Sequence, residues 1–562
     1  MYCRVISKKS RFLVLAGILI FLISGNLYAQ LSGTFTIGSG GTYASFTDAV
    51  SALNSQGVSG SVVFNVLTGV YDEQFEIGTI NGVSGSNRVS FQAQTGNAAD
   101  VTLQFSQTAG ANYIIRMNGS DYITFQNLTF TASGTSYGRI IVLGDNSDNN
   151  TVSNCVFSGA AVNTTSDAFS AVYCAPTTNT SDAVTISDNV FNDVSVGVYF
   201  NGVNYLTLAS GIQVTNNTFT HVRRGIVLNY HLAPVISGNV IQSDGDRGIE
   251  VQYGNSAMQI TKNRIDLANT YGIYLLYCTG GTPPAGTPGL TANNFITVRA
   301  ENGRGIYNLY GNYKNFYHNS VNMTAGVNSH AFEDNGSSGN INVVNNIFAA
   351  PAGGYAYYVN TPAAIANSNY NDHYTTGARL AYWNGDRADL AAFQSASQKE
   401  INSFATNPGY RSATDLHATS ALIDSAGTPL AEVTDDIDGN PRDAAYPSIG
   451  ANEIRFGVSG LDNDNKPDHD LTKIPVVYAL YQNYPNPFNP ETNIQFDLPK
   501  SSHVSLKIFN TLGEQVKVLV ESNMPAGRHR IHWNAAGFSS GTYFYVIQAD
   551  AYTNVKRMLY II

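Results

Sequence analysis

Charge is scarce in this 562-residue chain. Asp, Glu, Lys and Arg make up 12% of it, about half the share found in ordinary soluble proteins. A disordered chain needs high charge and few aromatics, and here Tyr (34) and Phe (27) abound instead. What imbalance exists is acidic, a net charge of −10. No nucleic-acid partner is expected, because binding phosphates takes a basic face. Cysteine is scarcer still: Cys3, Cys155, Cys174 and Cys278. An odd set remains once Cys3 leaves with an N-terminal leader, so no disulfide framework is expected, and strand-like neighbours make the other three buried thiols. No CxxC pair or HExxH run occurs, which leaves no zinc site of recognisable spacing. Beyond the leader, no stretch is long and apolar enough to span a bilayer as a helix.

The leader itself is legible. Lys8, Lys9 and Arg11 form a basic region, Phe12 to Ile23 is apolar, and Leu27-Tyr28-Ala29 places a small residue where cleavage occurs. Residues 1–29 therefore read as a signal peptide. The apolar run falls short of the ~20 residues of a spanning helix.

The middle of the chain is one unit repeated. A short apolar strand, an Asn, an apolar pair and a loop lead to Gly-Ile or Gly-Val opening a further strand. Val184 to Phe191, with Asn189, precedes Gly197; Asn217 precedes Gly225; Asn239 precedes Gly248; Asn263 precedes Gly272; Asn294 precedes Gly305. Weaker copies put Asn127, Asn154, Asn319, Asn346 and Asn369 in the same role, at a mean period of about 27 residues. Short strands at that period indicate a solenoid, and the regular leucines of a leucine-rich repeat are missing. An all-β, right-handed parallel β-helix fits: coils stack at ~4.8 Å and equivalent residues form ladders. Asn suits a ladder because its amide both donates and accepts. Gly is expected to permit a tight corner, and the residue after it to point inward.

A solenoid must cover its first coil. Phe46, Ala49, Val50 and Leu53 fall at helical spacing behind Ser45 as N-cap, and Gly69-Val-Tyr71-Asp-Glu73 follows. This helix and turn resemble the opening segment of pectin-lyase-like β-helix proteins. Thr434 to Arg442 and Ile449 to Glu453 are similar to the closing segment of many secreted β-helix proteins. The resemblance implies a fold over residues 30–455 and no single activity, since lyases, hydrolases, esterases and non-catalytic surface proteins share it. The Asp-Asp, Gly-His-Gly and Arg-Ile-Lys signatures of polygalacturonases are absent, as are the motifs of pectinesterases.

Residues 456–477 form an acidic linker in which Asp462, Asp464, Asp468 and Asp470 alternate as in a calcium loop, though the turn glycine is missing. Calcium there is the one cofactor expectation; a solvated linker is the other reading. Residues 478–562 alternate with period two at Ile494/Phe496/Leu498, Val504/Leu506/Ile508, Val516/Val518/Val520 and Ile531/Trp533, which reads as a small Ig-like β-sandwich. Tyr481-Gln-Asn-Tyr-Pro-Asn-Pro-Phe-Asn-Pro490, Leu512-Gly513, Ala526-Gly527, Ser540 to Tyr545 and Lys556-Arg557 recur in the order of the type A C-terminal sorting domain of the type IX secretion system. The module closely resembles that family. The resemblance implies that the type IX machinery is a partner, with delivery to the outer-membrane surface or the medium of a Gram-negative bacterium.

Candidate chemistry lies in the loops ahead of the Gly-Ile strands: His221, Arg223 and Arg224; Asp244, Asp246, Arg247 and Glu250; Arg299, Glu301 and Arg304. The catalytic candidates are Asp244, Asp246, Glu250 and Arg247. Aligned on Gly, Arg224, Arg247 and Arg304 share a column interrupted by Tyr271. It is either a stripe for an anionic polysaccharide or a set of turn arginines paired with Asp244, Asp246 or Glu301. Glu301 lies two coils from Asp246, about 10 Å away. That is too far to share a calcium ion at ~2.3–2.6 Å per bond and marginal for the ~6.5–9.5 Å of an inverting hydrolase. Tyr230, Tyr253, Tyr277 and Tyr310 each fall five residues after Gly, and strand parity expects them stacked inside, where an exposed ladder would instead be a sugar platform. Tyr199, Tyr274 and Tyr307, two after Gly, point outward. With the arginine column they form the expected glycan-binding face. Three functions stay open: a non-catalytic carbohydrate-binding surface or matrix protein, a lyase or hydrolase of an acidic polysaccharide, and an adhesin-like spacer.

Overall fold

The computed structural model describes residues 29–159, 164–280, 286–337, 339–454, 478–483 and 486–561. Most of the leader, and the linker with Asp462, Asp464, Asp468 and Asp470, lie outside the described residues. Residues 31–387 wind into a parallel β-helix with three sheets of 13, 12 and 13 strands. The first sheet opens with Leu31–Ile37 and Val58–Val66, the second with Gly69–Asp72, and the third with Phe75–Ile77. Each strand pairs in parallel with its equivalents one coil away, except the closing Asp386–Arg387, which folds back antiparallel on Ala381–Trp383, so a given position forms a column along the solenoid.

The corner between the first and second sheets holds the ladder. Asn189, Asn217, Asn239, Asn263, Asn294, Asn319, Asn346 and Asn371 are all buried, at steps of 22 to 31 residues. Asn217 is typical: its Nδ2 donates to Asn239 Oδ1 (3.1 Å) and to Ile186 O (2.9 Å), while its backbone N–H donates to the same Oδ1 (3.0 Å). Every Asn-to-Asn bond thus runs toward the C-terminal end, while the second amide proton goes to a carbonyl of the coil before. The last donor, Asn371 Nδ2, meets the fully buried carboxylate of Glu400 (3.1 Å), which also accepts from Ser368 and Ser403 and faces His373 Nε2 at 3.2 Å. The expected rungs Asn127, Asn154 and Asn369 are not in the ladder. Asn127 and Asn154 occupy the preceding left-handed position (φ 54° and 53°), which leaves Leu128 and Cys155 in the rung position, and Asn371 replaces Asn369. Both positions favour Asn, one for its amide and one for its tolerance of positive φ.

Inward columns fill the bore. Phe130, Phe157, Phe191 and Phe219 stack at 5.2, 4.7 and 4.6 Å, then give way to Ile241, Ile265 and Ile296 in the same register. The repeated glycines serve this packing rather than a corner. A Cβ on Gly248 would lie 2.7 Å from Ile265 Cγ2, and one on Gly272 2.4 Å from Ile296 Cγ2. Cys155, Cys174 and Cys278 are buried free thiols.

Both ends are covered. Helix Phe46–Gln56 is N-capped by Ser45 and buries Phe46, Ala49, Val50 and Leu53; Glu73 accepts from the N–H groups of Phe46 (3.0 Å) and Thr47 (2.8 Å), a carboxylate at the positive end of the helix. At the other end, helix Leu390–Ser397 packs Phe393 against Tyr357 and Trp383. The chain then returns along the corner between the first and second sheets. It is anchored by Lys262–Asp435 (2.5 Å), Arg264–Asp438 (2.5 Å), and buried Arg442, which bonds Asn293 (2.7 Å) and Glu453 (3.2 Å).

The C-terminal module has a three-stranded and a four-stranded antiparallel sheet around Phe496, Leu506, Trp533 and Tyr545. Its motif residues hold one another: Asn483 N–H donates to Tyr545 Oη (2.6 Å), whose hydroxyl donates to Tyr481 O (2.7 Å), and Phe488 sits between Trp533 and Tyr560. The Val516/Val518/Val520 strand departs from the expected alternation. It is an outer strand with register shifts, and Val518 is exposed.

Asn263→Ala would leave donors of Asn239 and an acceptor role for Asn294 unfilled in the core, and is expected to cost about 2–4 kcal/mol in urea unfolding. A second expectation concerns pH. Burial raises the Asp372 carboxyl to about 8, offset only in part by the Thr406 N–H. Against an unfolded value of about 3.9, the folded chain keeps a proton that the unfolded chain releases. The contribution is complete below about pH 4 and is lost as pH rises through about 8, at up to about 1.4 kcal/mol per pH unit. Asp372→Asn should flatten that decline in unfolding measured between about pH 5 and about pH 8.

Candidate functional site on the third sheet

The returning segment is anchored on the other two sheets, and the outer face of the third carries the candidate residues. Two outward columns run up it. The first, just before the Gly position, reads Val196, Arg224, Arg247, Tyr271, Arg304, His330 and Tyr355. Three residues further along the strands, the second reads Tyr173, Tyr199, Val227, Glu250, Tyr274, Tyr307, Glu333, Tyr358 and Tyr382. Tyr173 and Tyr199 stack at 5.3 Å, Tyr274 and Tyr307 meet at 5.5 Å, and Tyr358 and Tyr382 stack at 4.4 Å.

Two ion clusters interrupt the rings. In the first, Glu250 is 2% exposed beneath Arg247 (Nη1–Oε1 2.6 Å) and Arg224 (Nη1–Oε2 4.0 Å), and Arg247 lies over the rings of Tyr271 and Tyr274. Arg247 also reaches Asp246 (3.3 Å), which accepts from Thr270. In the second, Glu333 is held by Arg304 and by His330 Nδ1 (2.7 Å), and His330 stacks beneath Tyr358 at 4.2 Å. Burial lowers the His330 pKa against the pull of Glu333; the Glu333 carboxyl, which burial would raise, is lowered by His330 and Arg304. A neutral imidazole bonded through Nδ1 to a carboxylate is oriented as a general base would be, but this one is roofed by Tyr358 and only 6% exposed.

Glu250 and Glu333 are not spaced as a catalytic pair. They stand three coils apart, about 14 Å, against the ~5–9.5 Å of glycosidase pairs. Asp244 is exposed and joins the cluster only through its carbonyl, which accepts from Arg223 (3.0 Å). Glu301 is in an exposed turn, and Arg299 pairs with Asp266 instead. His221 faces Asp193 at 3.5 Å. Burial, with Glu333 adding to it, raises Tyr307 to about 12, and burial raises Tyr199 and Tyr274, so these phenols keep their protons at neutral pH.

Tyr230, Tyr253, Tyr277 and Tyr310 are not inside the solenoid. Each directly follows its strand in the left-handed conformation (φ 51° to 62°), which breaks the alternation and turns the ring outward. They stack at 4.9, 5.2 and 4.9 Å along the corner after the third sheet, with Tyr277 43% and Tyr310 45% exposed. Because the faces cover one another, the ladder presents ring edges and hydroxyls. Gly336 follows it, and a Cβ there would lie 2.4 Å from the Tyr310 ring. The cluster of His330 and Glu333 escapes sequence alignment because its strand opens His-Ala-Phe, with Ala331 in the Gly position.

Residues 482–561 match the family described as "Secretion system C-terminal sorting domain", and residues 132–352 match the family described as "Periplasmic copper-binding protein (NosD)". No curated protein matches the chain. Similar solved structures include the periplasmic alginate epimerase AlgG, 11% identical, covering 57% of this chain and 73% of that one at a TM-score of 0.33. A rhamnogalacturonan lyase is 10% identical, covering 74% and 96% at 0.32. A pectin methylesterase from Aspergillus niger is 14% identical, covering 69% and 95% at 0.23. The chain is a parallel β-helix protein that carries a type IX secretion sorting tail. Its destination is the cell surface or the space beyond it.

Replacing Arg247 by Met removes the closest charged partner of a buried carboxylate, leaving it the Gln252 amide (2.5 Å) and the more distant Arg224. It is expected to destabilise the chain by about 3–5 kcal/mol in urea unfolding, more than Glu250→Gln, which keeps the shape and loses the charge.

Proposed function

We propose that this exported protein binds carbohydrate on the outer face of its third sheet and does not cleave it. The observation that most supports this reading is the register of that face. Tyrosines and arginines recur at one coil's spacing, beside a second ladder of tyrosine edges at the neighbouring corner. Such a surface offers a chain-like ligand the same contact repeatedly. The chemistry of cleavage is not favoured. Glu250 and Glu333 are buried in ion pairs and far apart, Asp246 is held by Arg247 and Thr270, the phenols hold their protons, and the His330 ring is covered. The copper in the description of one matching family finds no set of three His, Cys, Asp or Glu ligands among the described residues.

The test incubates the full chain with a panel of polysaccharides, measuring retention on each immobilised polymer together with reducing ends and unsaturated products. Retention without product is expected, weakened about three- to tenfold by Tyr274→Ala or Tyr307→Ala. Product that disappears in Asp246→Ala would overturn the reading in favour of an enzyme. No retention on any polymer would leave the spacer.

A further inference from the structure

Resting on the carbohydrate-binding reading, we propose that the third-sheet face takes a neutral polysaccharide and excludes one bearing carboxylates. Five arginines of that face look at first like an anion stripe, yet these five are matched on the protein, while Arg379, further along, rests over the Tyr355 ring rather than on a carboxylate. Arg116 faces Glu76 (3.8 Å), Arg139 holds Asp167 (2.9 Å), Arg224 and Arg247 enclose Glu250, and Arg304 holds Glu333. Glu250 and Glu333 are 2% and 5% exposed, so they cannot swing into water to release their partners. A ligand carboxylate docked on Arg224 and Arg247 would either sit beside Glu250 in a poorly screened place or strip it of its partners. Both outcomes cost free energy, because a buried charge without a partner is among the most unfavourable arrangements in a protein.

A sugar hydroxyl carries neither penalty, since it donates to a carboxylate and accepts from a guanidinium. Glu250 itself is sealed beneath Arg224 and Arg247, so a hydroxyl meets the outer edges of these guanidinium groups and the half-buried phenols beside them. The neighbouring phenols of Tyr199, Tyr274 and Tyr307 are protonated and both donate and accept. Guanidinium planes already lie on tyrosine rings, Arg139 at 3.3 Å from the centre of Tyr173 and Arg247 at 4.9 Å from that of Tyr274, which further occupies the cations.

The experiment presents the full chain with immobilised glucan, mannan and galactan, each beside its counterpart oxidised at C6 to the uronate, at low and high salt. Retention on at least one neutral polymer is expected, indifferent to salt and at least about tenfold stronger than on the oxidised form. Glu250→Gln leaves Arg224 unmatched and Arg247 with Asp246 alone, and should gain salt-sensitive retention on the oxidised polymers, with thermal unfolding confirming that the variant is folded. Should that variant not fold, Glu333→Gln makes the same test at Arg304. Wild-type preference for the oxidised polymers, falling with salt, would overturn the neutral class while leaving carbohydrate binding in place. A folded variant that gains nothing would overturn the charge-matching argument. No retention on any polymer would remove the binding reading and this inference with it.

Discussion

A buried side-chain amide is tolerated only when its donors and acceptor are all met, and in this chain that condition is solved once and then copied. Each ladder Asn gives its Nδ2 to the next Asn and to a backbone carbonyl, and its Oδ1 receives the amide and the backbone N–H of the rung before. No rung is satisfied without its neighbours, so the corner fixes the register of the coils from Asn189 to Asn371. Because all the Asn-to-Asn bonds run one way, the ladder needs an acceptor at its end. Glu400 provides it, and its ionisation is favoured there, since the pull of burial is outweighed by His373 and the hydroxyls of Ser368 and Ser403.

Once register is fixed, the remainder of the architecture follows by repetition. Inward positions become stacks of Phe and Ile, and glycine appears where the next coil's second-sheet side chain needs the space of a Cβ. Outward positions become columns of rings and charges. A carboxylate in such a column is covered by long side chains from coils on either side, which is why Glu250 and Glu333 are buried on a surface that is otherwise half-exposed. The same crowding keeps phenolic protons in place and roofs His330 with Tyr358.

Much of this was legible in the sequence. The distances between Asn217, Asn239 and Asn263, each followed by Gly-Ile, define the coil because strand pairing demands equal positions. Strand parity correctly turned Tyr199, Tyr274 and Tyr307 outward, and the amphipathic spacing of Phe46 to Leu53 marked the capping helix. Parity failed at Tyr230, Tyr253, Tyr277 and Tyr310, because alternation holds only inside a strand and these residues directly follow theirs with positive φ. The rungs at Asn127 and Asn154 were misplaced by one residue for a related reason: two adjacent positions both accept Asn. Nothing in the sequence marks the contacts that decide the site's chemistry. Whether Arg247 serves a ligand or Glu250 depends on two coils lying side by side, and Glu333 comes to Arg304 from a strand that lacks the Gly signal.

The variation in step along the ladder carries a consequence for size. Coils of 22 and of 31 residues present identical junctions to their neighbours, since the extra residues leave through loops and the corner is unchanged. A coil ahead of Lys262, where the anchors of the returning segment begin, can therefore be duplicated or removed without either end cap registering the difference, provided its Asn and its small residue survive. The length of the exposed face is then set by copy number alone. The solenoid is a ruler, and kindred chains with more or fewer coils would differ in how long a polymer they span, while each still closes on the same carboxylate.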